Sequence, residues 1–598
     1  MVSDLEDFTI KEKEYRAKKR KKILFITIPI VIVIIIAIVL AVVLTRKKGG
    51  KIHCIYETKH DSERAHLFEI ITNRKHESYI YSLTIDNIDY GFYDQGNYFT
   101  FEKAGMHYVT IHYKKKLEHL NHLFSHAEQL VEADFSELNM EEVASMESLF
   151  YDCPNLKKVN FNNKTPNLKN INYMFCLCSS LVLINLNFDT SKITEIRGTF
   201  IGCEKLENLD LSNLKLDNLV IFSYMFSDCF KLKEIKFNNN TFFNNLEEIY
   251  AMFRNCKSLE HIDTRKFNDK KLKIFSYVFE GCESLKQINL SHFETKNLEQ
   301  LSGTFQDCKS LESLDISNFD TSKVTEMDDL FNGCEELIYI DISNFKLDNV
   351  TTTEFMFANC YKLKEIKFNA QTLTKNLQNM GYMFYHCNSL ESINLKIFKE
   401  NNLTNLNNAF EECESLKSLD LSSFDFTKVE NASNMFYNCV NLENLILPND
   451  MASLKYTDYM FGNCYSLSFI NLTSLQNVFQ WESANGMFEN CTSLNNTEIF
   501  IRNQVPLQSA EKMFKECINI KSINLEGLNN TNTFFLTEMF YGCHRLEYLN
   551  IKNFNTLKDR DSANIFKDVP NNVTIVYNTK ITSYNVRRQI QNLIQNSS

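Results

Sequence analysis

Apolar residues recur along most of this 598-residue chain in one order, Phe-x-x-Cys-x-x-Leu-x-x-Leu-x-Ile, and the order returns about every 26 residues. The Phe/Cys pairs run from Phe150/Cys153 to Phe540/Cys543, 16 in all, with steps of 25 to 27 residues. Phe124/Ala127 and Phe566/Val569 are degenerate copies at the two ends. A fixed period of this length marks a solenoid, because one such unit cannot bury its apolar side without a neighbour. The unit from Phe305 to Leu330 shows the expected elements. Leu314 and Ile316 are two apart, so they share one face of a short strand, with Ser313, Asp315 and Ser317 on the other. Val324, Met327, Leu330 and Phe331 are three or four apart, which predicts a helical turn or short helix, capped by Asp320-Thr321-Ser322. Stacked units then give a parallel sheet with one strand per repeat.

The wording of the repeat resembles the leucine-rich repeats of the BspA-like surface-protein family, M-F-x-x-C-x-x-L-x-x-L-D-L-S-x-F-D-T-S-x-V-T-x-M. The likeness is nearly verbatim in Cys308–Met327 and in Phe410–Val429, and it extends from Leu117 to Val569. It implies an α/β repeat solenoid, a leucine-rich-repeat horseshoe of about 18 units with short strands and short helical or turn returns. It also implies surface exposure and adhesion. Two features modulate the regular pattern. Thr264 and Thr497 stand where other rungs carry Leu, Ile or Phe, which predicts local breaks in the sheet. The segments Leu232–Asn238 and Asn213–Asn218 reappear as Leu363–Asn369 and Asn344–Asn349, both at the same offset, which indicates duplication of a five-repeat block.

Residues 23–45 carry no charge over 23 positions. At ~1.5 Å rise per residue a helix of that length spans a bilayer core. Arg46-Lys47-Lys48 follow directly, with no small-residue cleavage site, so the stretch reads as a transmembrane signal anchor embedding the chain in a membrane. Eight basic residues precede it and four follow, which orients the N-terminus to the cytoplasm and the solenoid outside the cell or in a lumen. The expected domains are a basic tail (1–22), the anchor (23–45), a juxtamembrane β-rich cap (46–116), the solenoid (117–569) and a C-terminal cap (570–598). Residues 1–51 carry a net +7 and the remainder −18, a balance that argues against nucleic acid as partner.

Sixteen of the 18 cysteines belong to the ladder and occupy an apolar position, which predicts a column of buried free thiols rather than disulfides. Cys54 and Cys176 stand outside it, and Cys54, near the membrane, is the candidate for an intermolecular bond. In the cap, Tyr98–Tyr113 alternates around Gly105 and reads as a β-hairpin. Val573–Tyr577 reads as a last strand, and Arg587–Ile594 as a short covering helix. His119, His122 and His126 have i, i+3, i+7 spacing, but they fall on variable positions beside a core stripe, so a solvated face is expected and no metal or cofactor is assigned.

No catalytic constellation appears, and no catalytic residue is assigned. The outward column of the strands is mostly Asn and Asp, so ligand recognition is expected where that ladder breaks or is most acidic. These places are Lys236, the group His261, Asp263 and Arg265, then Asp315, Tyr339, Asp341, Lys367 and Asp420, and the apolar run Ile446 and Phe469. Twelve Asn-x-Ser/Thr sequons permit glycosylation, among them Asn163, Asn349, Asn402, Asn431, Asn529 and Asn572. Two functions follow. One is a membrane-anchored surface protein that binds an extracellular protein or glycan on a concave sheet face. The other is a structural or assembly scaffold without a recognition role.

Overall fold

The computed structural model describes residues 49–595, except 70–79, 92–96, 496–506, 529–534, 555–561 and the positions 163, 268–269, 370, 372, 400, 479, 580 and 582. It also describes Lys18 and residues 32–36. Those five are helical and exposed, and the rest of the expected 23–45 anchor lies outside the described residues. Among the described residues no helix is long and apolar enough to cross a membrane.

The chain forms a β-solenoid of about 16 turns. Parallel strands stack rung on rung, as in Asn208–Leu211 on Glu234–Phe237, Gln287–Asn289 on Ser313–Asp315, and Tyr339–Ile342 on Glu365–Phe368. Within each strand the predicted alternation holds, with Leu209, Ile288 and Ile340 buried and their neighbours Asp210, Asn289 and Tyr339 exposed. At Thr264 the strand gives way to a 3-10 turn over Thr264–Lys266, so the break expected there is present. The hydroxyl of Thr264 is buried and donates to the carbonyl of Asn289. Thr497 lies outside the described residues.

The return segments differ from expectation. No helix forms at Val324–Phe331; the segment is a run of turns crossed by a second column of parallel bridges. That column passes through Glu248, Ile274 and Gln300, and then through Glu326, Thr352, Asn379, Asn405, Asn431, Tyr456, Ser483 and Ser509. The backbone amides are satisfied between rungs rather than along a helix. Asp329 N donates to Glu354 O at 2.9 Å, Phe331 N to Met356 O at 2.9 Å, and Gly333 N to Ala358 O at 2.8 Å. Two residues per rung, two before and two after each Phe, have positive φ, such as Asp329 (57°) and Gly333 (74°). Left-handed residues at this spacing close successive turns and are incompatible with a continuous α-helix. The three-residue apolar spacing is therefore a turn period.

The interior is built of columns. Seventeen consecutive Phe pairs from Phe124 to Phe566 stack with ring centroids 5.2–6.1 Å apart and planes within 1–19°. All 18 cysteines are free and buried. Each of the 16 ladder thiols donates to the carbonyl of the Phe one rung back, at 2.9–3.3 Å. The small, weakly donating Cys thus adds a second, cross-rung bond to a buried carbonyl that already accepts the N–H three residues on, as Phe331 O does from Cys334 N. Thr321 does similar work in a third column. Fully buried, its hydroxyl donates to Lys346 O at 3.0 Å and accepts from Lys346 N at 2.8 Å.

The cap contains β1 (Gly50–Thr58), β2 (Glu63–His66), β3 (Ile80–Ile85), β4 (Ile88–Asp89), β5 (Tyr98–Phe101) and β6 (Gly105–Tyr113). The first solenoid strands are β7 (Leu130–Asp134), β8 (Lys158–Asn160) and β9 (Leu183–Asn185). One sheet runs β4-β3-β6-β1-β7-β8-β9, so the cap sheet is continuous with the solenoid sheet. The expected hairpin does not form. β5 pairs with β2 in a separate sheet while β6 pairs with β1 and β3, so the chain changes sheets between Phe101 and Gly105. Phe101 is buried between the two, stacked on His107 at 4.0 Å. Cys54 lies in β1 at 2 % exposure, which removes it as a candidate for an intermolecular bond. At the other end Thr574–Tyr577 adds a last parallel strand, and helix α1 (Tyr584–Gln595) covers it with Val586, Ile590 and Leu593 turned inward.

Candidate ligand-binding face

The outward Asn/Asp column is a set of turn caps. Asp210, Asp315, Asp341 and Asp420 each accept, through Oδ1, the backbone N–H two residues on, at 2.8–3.1 Å. Asn289, Asn394, Asn471 and Asn524 do the same. A short planar side chain that bonds its own backbone two residues ahead ends the strand and starts the turn. Where Lys236 and Lys367 replace the cap, Asn238 and Asn369, two positions later, take over the role.

The charged breaks in this ladder are neutralised within the fold. Lys236 pairs with Asp210 at 3.5 Å, and Lys367 with Asp341 at 2.7 Å. These pairs are the same pair in the two copies of the duplicated block. Burial pulls the Asp341 carboxyl up, but hydrogen bonds from Lys367 and Ser343 outweigh it and hold the carboxyl at about 2. Tyr339 is exposed, with its hydroxyl 3.5 Å from the same carboxylate. Arg265 folds back on Asp263 with two bonds of 2.8 and 2.9 Å, and His261 stands exposed beside them. The predicted site residues therefore fall into small, internally paired groups one or two rungs apart along the strand face, not one constellation.

The apolar break is different. Ile446 is 55 % and Phe469 61 % exposed, and both line one cavity of about 410 Å³ on the strand face with Asn444, Ser468 and Asn471. Among the described residues nothing covers this pair, unlike the paired lysines. A second, larger concavity of about 570 Å³ lies where the cap sheet meets the first solenoid strands. The sequence reading missed it, because its residues come from five strands whose register only the antiparallel docking of β1 on β7 sets.

Of the sequon asparagines, Asn572 is exposed and Asn349 is exposed but donates its amide to Ser322 O at 2.7 Å. Asn402 accepts from Lys428, and Asn431 lies in the bridge column with its Oδ1 on Ser433 N. Asn163 and Asn529 lie outside the described residues. The histidine trio is not on a helix: His119 forms a parallel bridge to Ser145, and His122 and His126 sit on turns at positive φ, with His126 paired to Asp152 at 3.0 Å. Among the described residues no group of three or more potential ligands could hold a metal.

A family profile described as "Mycoplasma protein of unknown function, DUF285" matches residues 118–241, 181–288, 247–370 and 365–471, more than half of the chain. The profile "BspA type Leucine rich repeat region (6 copies)" matches 432–569 and 484–595. No curated protein matches. Among solved structures, a leucine rich cell surface protein from Faecalibacterium prausnitzii A2-165 is 19 % identical, covers 56 % of this chain and 89 % of its own, and has a TM-score of 0.32. A leucine-rich repeat protein from Eubacterium ventriosum is 18 % identical over 60 % of this chain and 83 % of its own, with a TM-score of 0.26. The functional domain of InlJ from Listeria monocytogenes, which includes a cysteine ladder, is 12 % identical over 63 % and 74 %, with a TM-score of 0.14. From the two profiles, which together run unbroken from residue 118 to 595, the chain belongs to the BspA-like leucine-rich-repeat family and carries the DUF285 repeat through most of its solenoid.

Proposed function

We propose that this protein is anchored in a membrane by residues 23–45, presents its solenoid outside the cell, and captures a protein ligand on the strand face. The observation that carries the reading is the exposed pair Ile446 and Phe469 in one cavity of about 410 Å³. An exposed aromatic beside an aliphatic residue in a concavity with a polar rim is the usual anchor of a protein interface. The uncharged 23-residue stretch and the basic excess before it support the anchor and its orientation. The scaffold reading draws on a different observation. Lys236 and Lys367, the most prominent charged breaks, are neutralised by the preceding rung and leave little free charge for a partner.

Antibody labelling of a C-terminal tag on intact cells tests the location, and labelling only after permeabilisation refutes the surface assignment. Adhesion of cells displaying the full chain to a panel of immobilised extracellular proteins tests the recognition. Phe469→Ser should lower adhesion several-fold at unchanged surface level. Equal adhesion of wild type and Phe469→Ser leaves the scaffold reading.

A further inference from the structure

The larger concavity, at the junction of cap and solenoid, has an order that the repeat alone does not create. Strand register sets two transverse rows across β6, β1, β7, β8 and β9. The first row is Tyr108, Ile55, Glu132, Lys158 and Leu183. The second is Thr110, His53, Asp134, Asn160 and Asn185. All ten residues line the cavity of about 570 Å³. The first row ends in two exposed apolar side chains, Tyr108 at 63 % and Leu183 at 62 %. Between them Lys158 is paired with Glu132 at 3.4 Å. The second row is polar throughout and mostly planar. His53 Nδ1 lies 3.0 Å from Thr110 Oγ1, and Asn160 Nδ2 donates to Asp134 at 3.1 Å. The side chain of Asn185 has no hydrogen-bond partner among the described residues.

We propose that this platform is a binding site for a neutral saccharide, separate from the Ile446/Phe469 cavity. A sugar ring has an apolar C–H face and a rim of hydroxyls. Tyr108 offers an aromatic face to the first, and the row of Asp134, Asn160 and Asn185 offers donors and acceptors to the second, with His53 held between Thr110 and Glu137 at its edge. The five strands are joined side by side, and β6, β1, β7 and β8 are each paired on both edges, so a peptide cannot add to them as a further strand. The only lysine in the rows is held by Glu132, and Asp134 adds negative charge, which disfavours phosphate, nucleic acid and acidic sugars. The polar second row disfavours a lipid tail. The volume falls in the range of ~300–1,000 Å³ typical of small-ligand sites and suits a short oligosaccharide.

The test uses the full chain in lipid nanodiscs, which avoids sugar-based detergents. Saturation-transfer NMR and titration calorimetry are run with chitotriose, maltotriose, cellotriose and lacto-N-tetraose. At least one should bind, and Tyr108→Ala and Asn185→Ala should each weaken it by about tenfold or more, while Tyr108→Phe, which keeps the ring, stays within about threefold. Both positions are exposed, so the melting temperature should not move, and Phe469→Ser should leave sugar binding intact. No binding by any of the four, binding that survives Tyr108→Ala, or a neutral peptide pool that competes at this site in their place would each overturn the proposal. Failure here leaves the Ile446/Phe469 reading standing, because its readout is adhesion rather than sugar binding.

Discussion

Replacing Phe331 by Ala tests whether the stacked Phe column carries the cooperativity of the solenoid. Phe331 is fully buried near the middle of the column, 5.9 Å from the ring of Phe305 and 5.3 Å from that of Phe357. Its backbone bonds, N–H to Met356 O and carbonyl from the Cys360 thiol, do not depend on the side chain. Deleting a buried Phe side chain costs ~3–5 kcal/mol. Two lost ring contacts at ~0.5–1.5 kcal/mol each place this site toward the upper end. Phe566 is the control. It ends the column, stacks on one ring only, Phe540 at 5.7 Å, and is slightly exposed, so Phe566→Ala should cost roughly half as much. In a quasi-one-dimensional fold a weak rung in the middle separates the two sides, whereas a weak rung at the end only frays it. The assay is urea unfolding followed by two probes. Far-UV circular dichroism reports the whole chain. Fluorescence reports the single Trp481, which is buried C-terminal to the lesion with its Nε1 donating to Thr457 at 2.7 Å. In Phe331→Ala the two transitions should separate, and in wild type and Phe566→Ala they should coincide. A loss below ~1 kcal/mol at Phe331, or equal losses at the two sites, would refute the column as the source of coupling.

Two further outcomes are expected. With a thiol reagent under non-reducing conditions the native chain should show almost no reaction, since every cysteine is buried and burial drives the ladder thiols well above their ordinary range. After unfolding all 18 should react, and a shortfall would mean disulfides. Asp328→Asn should stabilise the protein at pH 7. Burial, with the charges of Glu354 and Asp329, outweighs the bonds from Thr352 and the Glu354 N–H and lifts this carboxyl to about 6. A carboxyl raised on folding favours the folded state only while protonated, below about pH 4, and that advantage is lost as the pH rises through 6. Asn keeps the acceptor, so the gain, about 1–2 kcal/mol after allowance for partial exposure, should appear above pH 6 and vanish below pH 4 in urea titrations. A gain that does not change with pH would contradict the assignment.

The strands, the solenoid, the break at Thr264 and both terminal elements were legible because each rests on a local signal, an alternation or a period. The return segments were not. Spacing of three is shared by helices and by successive turns, and the discriminating signal lay in the polar positions rather than the apolar ones. The position two residues after each Phe is most often Asn, Asp or Gly, as in Asp307, Gly333 and Asn359, and these residues tolerate the left-handed region. The position two before Phe carries a subtler preference. A Cβ on Gly303 would lie 2.3 Å from the ring of Tyr277, and Gly198 and Gly486 receive the rings of Tyr173 and Tyr459 in the same way, whereas Tyr224 and Tyr382 are followed by Ala251 and Asn408. That pairing reaches across a full repeat and is invisible to any window reading. The cap failed for the same reason at a larger scale. Tyr98–Tyr113 alternates as a hairpin would, and only the docking of β6 between β1 and β3 shows that its two strands go to different sheets.

The duplicated block separates inherited structure from candidate function. Lys215 with Asp189 and Lys236 with Asp210 reappear one block on as Lys346 with Asp320 and Lys367 with Asp341, each at ion-pair distance. A break in the ladder that was copied together with its counter-charge is a unit of the fold, and its removal should cost stability rather than binding. Counted rung by rung over the same five repeats, Ile446 takes the place of Asp315 and Phe469 that of Tyr339, so the pair keeps an exposed aromatic but has exchanged an acid for an aliphatic residue. Among the described residues it has no partner group in the neighbouring rungs, and it leaves apolar surface in contact with water. The two rows at the cap junction carry the solenoid sheet beyond the repeat, because β1 and β6 add Ile55 and Tyr108 to one row and His53 and Thr110 to the other. Surface that the repeat neither copies nor compensates is where a solenoid of near-identical rungs acquires specificity, and each site proposed for this protein includes such surface, Ile446 in one and the β1 and β6 residues in the other.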